Sequence, residues 1–65
     1  MQVGDKVRTG VYVCGKWIPM HLGIIVERVN EQLVYVDIGS LHGCRPWHRL
    51  EEESKLRLEG LDAST

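Results

Sequence analysis

The stretch Gly23 to Gly39, GIIVERVNEQLVYVDIG, reads as two β-branched strands folded back on each other across Asn30 and Glu31. In its second arm Val34, Val36 and Ile38 alternate with Leu33, Tyr35 and Asp37. That period of two puts one aliphatic row on a single strand face, the expected core face, and leaves Leu33 and Tyr35 on the other. The first arm, Ile24 to Val29, cannot bury Val26 and Val29 by one alternation, so a bulge or sharp bend is expected near Glu27 and Arg28. Asn30 suits the left-handed backbone that tight hairpin loops require. A hairpin of this kind commits the chain to an all-β fold.

The chain has 65 residues, which predicts one domain close to the size at which a single core barely suffices. Support from a partner, a metal or self-association is therefore expected. No run of about eighteen apolar residues exists for a membrane helix, and Met1-Gln2-Val3-Gly4 has no basic segment leading into an apolar one, so the expected location is cytoplasmic. A net charge of −1 argues against a protein that binds nucleic acid by bulk charge. The charges are uneven, with six basic residues against four acids up to Leu50 and two against five after it. The body is mildly basic and the C-terminal stretch acidic.

Taken in order, Val3-Gly4-Asp5-Lys6-Val7-Arg8 is a Gly-Asp turn entering a strand, Thr9-Gly10 is expected to break it, and Val11-Tyr12-Val13 resumes it before a turn at Cys14-Gly15-Lys16. Pro19 cannot donate to a sheet ladder, so Lys16 to Leu22 is expected to be an edge or a loop wall. Gly39 to Pro46, punctuated by two glycines and a proline, reads as a long flexible loop. Trp47 to Leu50 supplies a closing strand with Trp47 and Leu50 on opposite faces. Strands are thus predicted near 3–8, 11–14, 22–29, 32–38 and 47–50. The expected core is Val3, Val7, Val13, Ile25, Val26, Val29, Val34, Val36, Ile38 and Leu50. The domain is read as residues 1–52, and residues 53–65 as an acidic tail or a turn of helix, since Leu56, Leu58 and Leu61 fit neither period.

The Gly4-Asp5-Lys6-Val7-Arg8 opening, followed after a loop by Gly23-Ile24-Ile25-Val26-Glu27-Arg28-Val29, resembles the KOW-type and other SH3-like barrels. Over residues 3 to 50 the resemblance implies a five-stranded SH3-like barrel with a short C-terminal tail or helical turn. SH3-like barrels include nucleic-acid-binding and protein-docking modules and a few enzymes, so fold does not fix function. The Ala-Leu-Tyr-Asp-Tyr run and paired tryptophans of proline-binding SH3 domains are missing. The chain is also similar to the plasmid-borne type II dihydrofolate reductases in its Gly-Asp-x-Val-Arg opening, its Gly-x-Ile-Val strand and a closing Leu-Glu. Their Val-Gln-Ile-Tyr active-site motif has no counterpart in Gly39 to Leu50, which leaves an oligomeric small-barrel enzyme as the weakest alternative.

Cys14, His21, His42, Cys44 and His48 are chemically able to bind metal, but His42-x-Cys44-x3-His48 lacks the paired spacing of structural zinc. The preferred reading is Cys14 as a small buried hydrophobe, Cys44 as a loop residue, free thiols in both, and no metal or other cofactor. A thiol nucleophile would need a base held against it, and the Gly-rich loop offers no such support, so no catalytic residue is assigned. Recognition is expected at Trp17, His42, Arg45, Trp47 and Arg49 and at the outer face of Leu33 and Tyr35, with the loop from Gly39 to Trp47 central. Loops on rigid scaffolds carry binding residues, and Trp and Arg dominate binding hot spots. The expected function is a non-catalytic module that binds a protein partner or a second copy of itself. The alternative is a KOW-like module binding RNA or single-stranded DNA through Lys6, Arg8, Lys16, Arg45 and Arg49, with a tryptophan for base stacking.

Overall fold

In a computed structural model, which describes residues 1–59, the chain forms one five-stranded antiparallel sheet. The strands are β1 (Lys6–Val13), β2 (Lys16–Arg28), β3 (Leu33–Asp37), β4 (His48–Glu52) and β5 (Arg57–Leu58). Their order across the sheet is β4-β3-β2-β1-β5, and the sheet is not closed between its edges β4 and β5. The fold is all-β, and among the described residues its only helical pieces are 3-10 turns at Ser40–His42 and Glu53–Lys55.

The β2–β3 hairpin follows the expected pattern with one change of mechanism. Ile25 faces Val36 and Glu27 faces Tyr35, so Val26 is an extra residue, and the bulge lies beside the position the periodicity indicates. Asn30 does not supply a left-handed residue, because Cys14 is the one non-glycine with positive φ among the described residues. It supplies an acceptor: its Oδ1 takes the backbone N–H of Gln32 at 2.8 Å and of Leu33 at 2.9 Å, an Asx turn.

β1 is one strand where two were expected, and the irregularity at Thr9 falls on its partner. Arg8 pairs with Leu22 and Gly10 with Pro19, so Thr9 faces both Met20 and His21. The buried Thr9 hydroxyl accepts from His21 N at 2.9 Å and donates to His21 O at 3.2 Å, serving both backbone groups that the ladder skips. Cys14 (φ 52°) and Gly15 (φ 79°) then form the two-residue β1–β2 turn, with the positive φ values that such turns need. Pro19 sits within a strand, but β3 pairs only with Ile24–Arg28, so among the described residues the Lys16–Leu22 half of β2 has β1 as its one paired neighbour.

The core is Val7, Ile25, Val34, Val36, Ile38 and Leu56. Five of these were predicted. Leu56 was not, because it follows the 3-10 turn in the segment read as a tail. β5 then pairs with β1 through Val7↔Leu58 and Arg8↔Arg57, so the sheet runs past residue 52. Gly60 to Thr65, with Leu61, lie outside the described residues. Val3, Val13, Val29 and Leu50 are exposed, and Val26, at the bulge, is half-buried. Val3 precedes β1, Val13 abuts the hairpin turn and Val29 lies beyond β2, so none has sheet on both sides. Leu50 faces Tyr35 on the outer side. Its neighbours Arg49 and Glu51, opposite Val36 and Val34, take the inward positions at the sheet edge and pair with each other at 3.5 Å.

Two polar clusters close the structure. Arg28 donates to both carboxylate oxygens of Glu53 (2.7 and 3.3 Å) and to Met1 O, tying the N-terminus and the β2–β3 loop to the second 3-10 turn. Hydrogen bonding to Glu53 raises the Arg28 pKa and the reciprocal bond lowers that of Glu53. At the other end, Trp17 lies over Gly10, where a Cβ would overlap its ring, and donates Nε1–H to Lys55 O at 2.7 Å. Arg57 stacks on the Trp17 ring at 4.9 Å and donates to the Tyr12 hydroxyl at 3.1 Å.

Candidate interaction surface

The segment from Ile38 to Trp47 is a built loop, organised by Asp37 at the end of β3. The Asp37 carboxylate, almost fully buried, accepts backbone N–H bonds from Gly39 (2.9 Å), Ser40 (3.2 Å) and Trp47 (3.2 Å). The Ser40 hydroxyl and the Gly39 amide, aided by the amides of Ser40 and Trp47, hold its pKa well below the usual carboxylate range. One side chain thus gathers both ends of the loop. Ile38 N donates to Trp47 O at 2.9 Å, and the N–H groups of His42 and Cys44 both return to Gly39 O.

The two loop glycines have different tasks, and neither is simple flexibility. Gly39 is buried against the backbone of Arg45, so that a Cβ there would collide with the Arg45 carbonyl oxygen. Gly43 ends the 3-10 turn at φ 76°, a left-handed residue whose N–H bonds Ser40 O. The Asp-x-Gly spacing at Asp37-Ile38-Gly39 was the sequence signal for this arrangement, an Asx-type turn followed by close backbone approach.

The loop encloses an open hollow of about 470 Å³ lined by Ile38, Gly39, His42, Cys44, Arg45, Pro46 and Trp47. Among the described residues no carboxylate lines it, and its walls are mainly apolar, with the Arg45 guanidinium and the His42 imidazole as polar groups at its rim. Trp47 is 58% exposed, the most exposed aromatic side chain of the described residues. Three of the predicted residues, His42, Arg45 and Trp47, are therefore brought together.

The other predicted residues lie apart. Tyr35 and Leu50 face each other on the outer side of β3 and β4, while Leu33, opposite Glu52, lines a second hollow with Glu31, Gln32, Glu52, Glu53 and Ser54. Arg49 is engaged with Glu51. Trp17 packs within the chain, between Gly10, Lys55 and Arg57. Cys14 is exposed on the β1–β2 turn, not a buried hydrophobe, and Cys44 is exposed in the loop, both as free thiols. Among the described residues no three His, Cys, Asp or Glu side chains converge as metal ligands, and no helix is long and apolar enough to cross a membrane.

Comparison adds no relative to this geometry. No family model, curated protein or solved structure matches the chain. The hollow beside Trp47 has to be read from its own chemistry.

Proposed function

We propose that this chain is a non-catalytic interaction module of the SH3-like kind, working in the cytoplasm, and that the hollow of the Gly39–Trp47 loop takes a protein partner. The SH3-like reading is supported by a four-strand meander, β1 to β4, to which β5 returns on the far side of β1, with a 3-10 turn leading into that last strand. The observation that carries the binding reading is the loop itself, an exposed Trp47 and an apolar floor held in one geometry by the Asp37 carboxylate. A preformed site loses little ordering entropy on binding. The ligand chemistry that fits is an apolar side chain beside a carboxylate, the first against Pro46 and Trp47 and the second at Arg45.

Protein is favoured over nucleic acid by how the cations are used. Of the residues that would track a phosphate backbone, Arg8 lies 3.6 Å from Glu59 and Arg49 3.5 Å from Glu51. Lys6, Lys16 and Arg45 then remain, on three separate elements.

The test is capture from native extract by the wild-type chain and by the double variant Arg45→Ala/His42→Ala, with protein and nucleic acid both analysed. Neither residue contributes to the core, so the melt stays within a few degrees while protein capture falls about tenfold, the equivalent of 1.4 kcal/mol. Unchanged capture with a normal melt removes the hollow as the site. Capture of nucleic acid that falls steeply between about 50 and 200 mM salt would replace the protein reading with the KOW-like one.

A further inference from the structure

Among the described residues β1 beyond Arg8 and β2 up to Leu22 pair only with one another, because β5 reaches β1 at Val7 and Arg8 and β3 joins β2 from Ile24 onward. The result is a two-stranded ribbon with two unlike faces. One face carries Gly10, Tyr12 and Trp17, and the Trp17 contacts with Lys55 and Arg57 hold it against the C-terminal strand. On the other face Val11 is paired across the strands with Ile18, Val13 follows Val11 by two residues and Met20 follows Ile18 by two. These four are 39%, 41%, 53% and 51% exposed for Val11, Ile18, Val13 and Met20. They leave on the order of 300 Å² of apolar surface, comparable to the largest patch that a typical monomer exposes, which is often functional.

We infer that this ribbon face is a self-association surface, and that its partner is the same face of a second copy of the chain. Two copies together remove on the order of 600 Å² of apolar surface, enough for the dry centre of an interface whose standard total is about 1,200–2,000 Å². Lys16 stands opposite Val13 at the turn end of the stripe, and antiparallel packing about a two-fold axis sends the two Lys16 side chains to opposite ends of the contact, so the like charges stay apart. Pro19 lacks a backbone donor and lies in the half of β2 whose second edge is unpaired, which disfavours adding a strand there and favours face-to-face packing. A core of six buried hydrophobic side chains among the described residues gives the assembly a physical purpose. The dimer displays two copies of the Trp47 hollow and does not depend on what that hollow binds.

The experiment is sedimentation equilibrium of the full chain from about 1 to 100 μM, with circular dichroism on each variant. The expected mass is that of two chains, with dissociation in the micromolar range. Ile18→Glu and, separately, Met20→Glu weaken association at least about tenfold with unchanged spectra, since each buries a carboxylate in an apolar contact. If Ile18→Glu alters the spectrum, Val13→Glu at the ribbon end provides the same reading. Leu50→Glu, on the outer face of β3 and β4, leaves the mass unchanged. A monomer at 100 μM, an assembly of three or more chains, or dissociation by Leu50→Glu with the ribbon variants still dimeric would each overturn the inference. None of these residues lines the Trp47 hollow, so the result is separate from that of the Arg45 test.

Discussion

Leu50→Ala and Leu56→Ala form a matched pair, the same chemical change at two leucines six residues apart. Leu56 is 2% exposed and belongs to the core cluster, whereas Leu50 is 49% exposed on the outer side of β4. Truncating Leu56 removes three buried carbons at about 0.8 kcal/mol each, roughly 2.4 kcal/mol of transfer free energy, before any cavity cost. A cavity that the surrounding valines fill only in part raises the loss to about 3 kcal/mol, within the 2–5 kcal/mol typical of such changes. For a chain of this length the total stability is about 3–10 kcal/mol, so Leu56→Ala leaves a large unfolded fraction at the lower end of that range. Leu50→Ala is expected to cost about 0.5 kcal/mol, in line with other surface changes. The assay is urea unfolding followed by tryptophan fluorescence, with the free-energy difference taken from the midpoints at a common slope. The reasoning fails if Leu56→Ala costs less than about 1 kcal/mol, or if Leu50→Ala proves the more damaging of the two. Either result would mean that the segment after residue 52 does not close the core.

Three further outcomes follow from the polar contacts. Because the Asp37 pKa is lowered in the folded chain, its carboxylate contributes stability above the ordinary aspartate range, and that contribution is lost as pH falls through the folded value. The gap in urea midpoint between wild type and Asp37→Asn is therefore wide at pH 7 and narrows below about pH 4; a gap that stays constant with pH would refute it. Gly39→Ala forces a methyl group onto the Arg45 carbonyl and is expected to cost about 1–3 kcal/mol while shifting the emission of Trp47, measured with Trp17 replaced by Phe in both proteins. Trp17→Phe keeps the ring over Gly10 but leaves Lys55 O without its donor, a loss of about 1 kcal/mol by chemical denaturation.

The sequence by itself determined what depends on near neighbours. The alternation of Val34, Val36 and Ile38 put a core face on β3, the mismatch in Ile24 to Val29 required a bulge, and Cys14-Gly15 turned the first hairpin. It also indicated that His42, Arg45 and Trp47 share a loop, because they are neighbours in the chain. Only the tertiary structure decided the rest, because those contacts join residues far apart. Leu56 looked like part of a tail until β5 returned to β1, pairing Leu58 with Val7 and Arg57 with Arg8 near the start of the chain. Leu50 changed faces once its partner across the sheet was fixed as Tyr35, since a strand's register sets which side every residue takes. Trp17, as plausible a binding residue as Trp47 from sequence, is held by a carbonyl 38 residues away, whereas Trp47 remains exposed. Both are tryptophans beside basic residues and glycines, and local composition has no means of distinguishing a ring with a distant partner from one without.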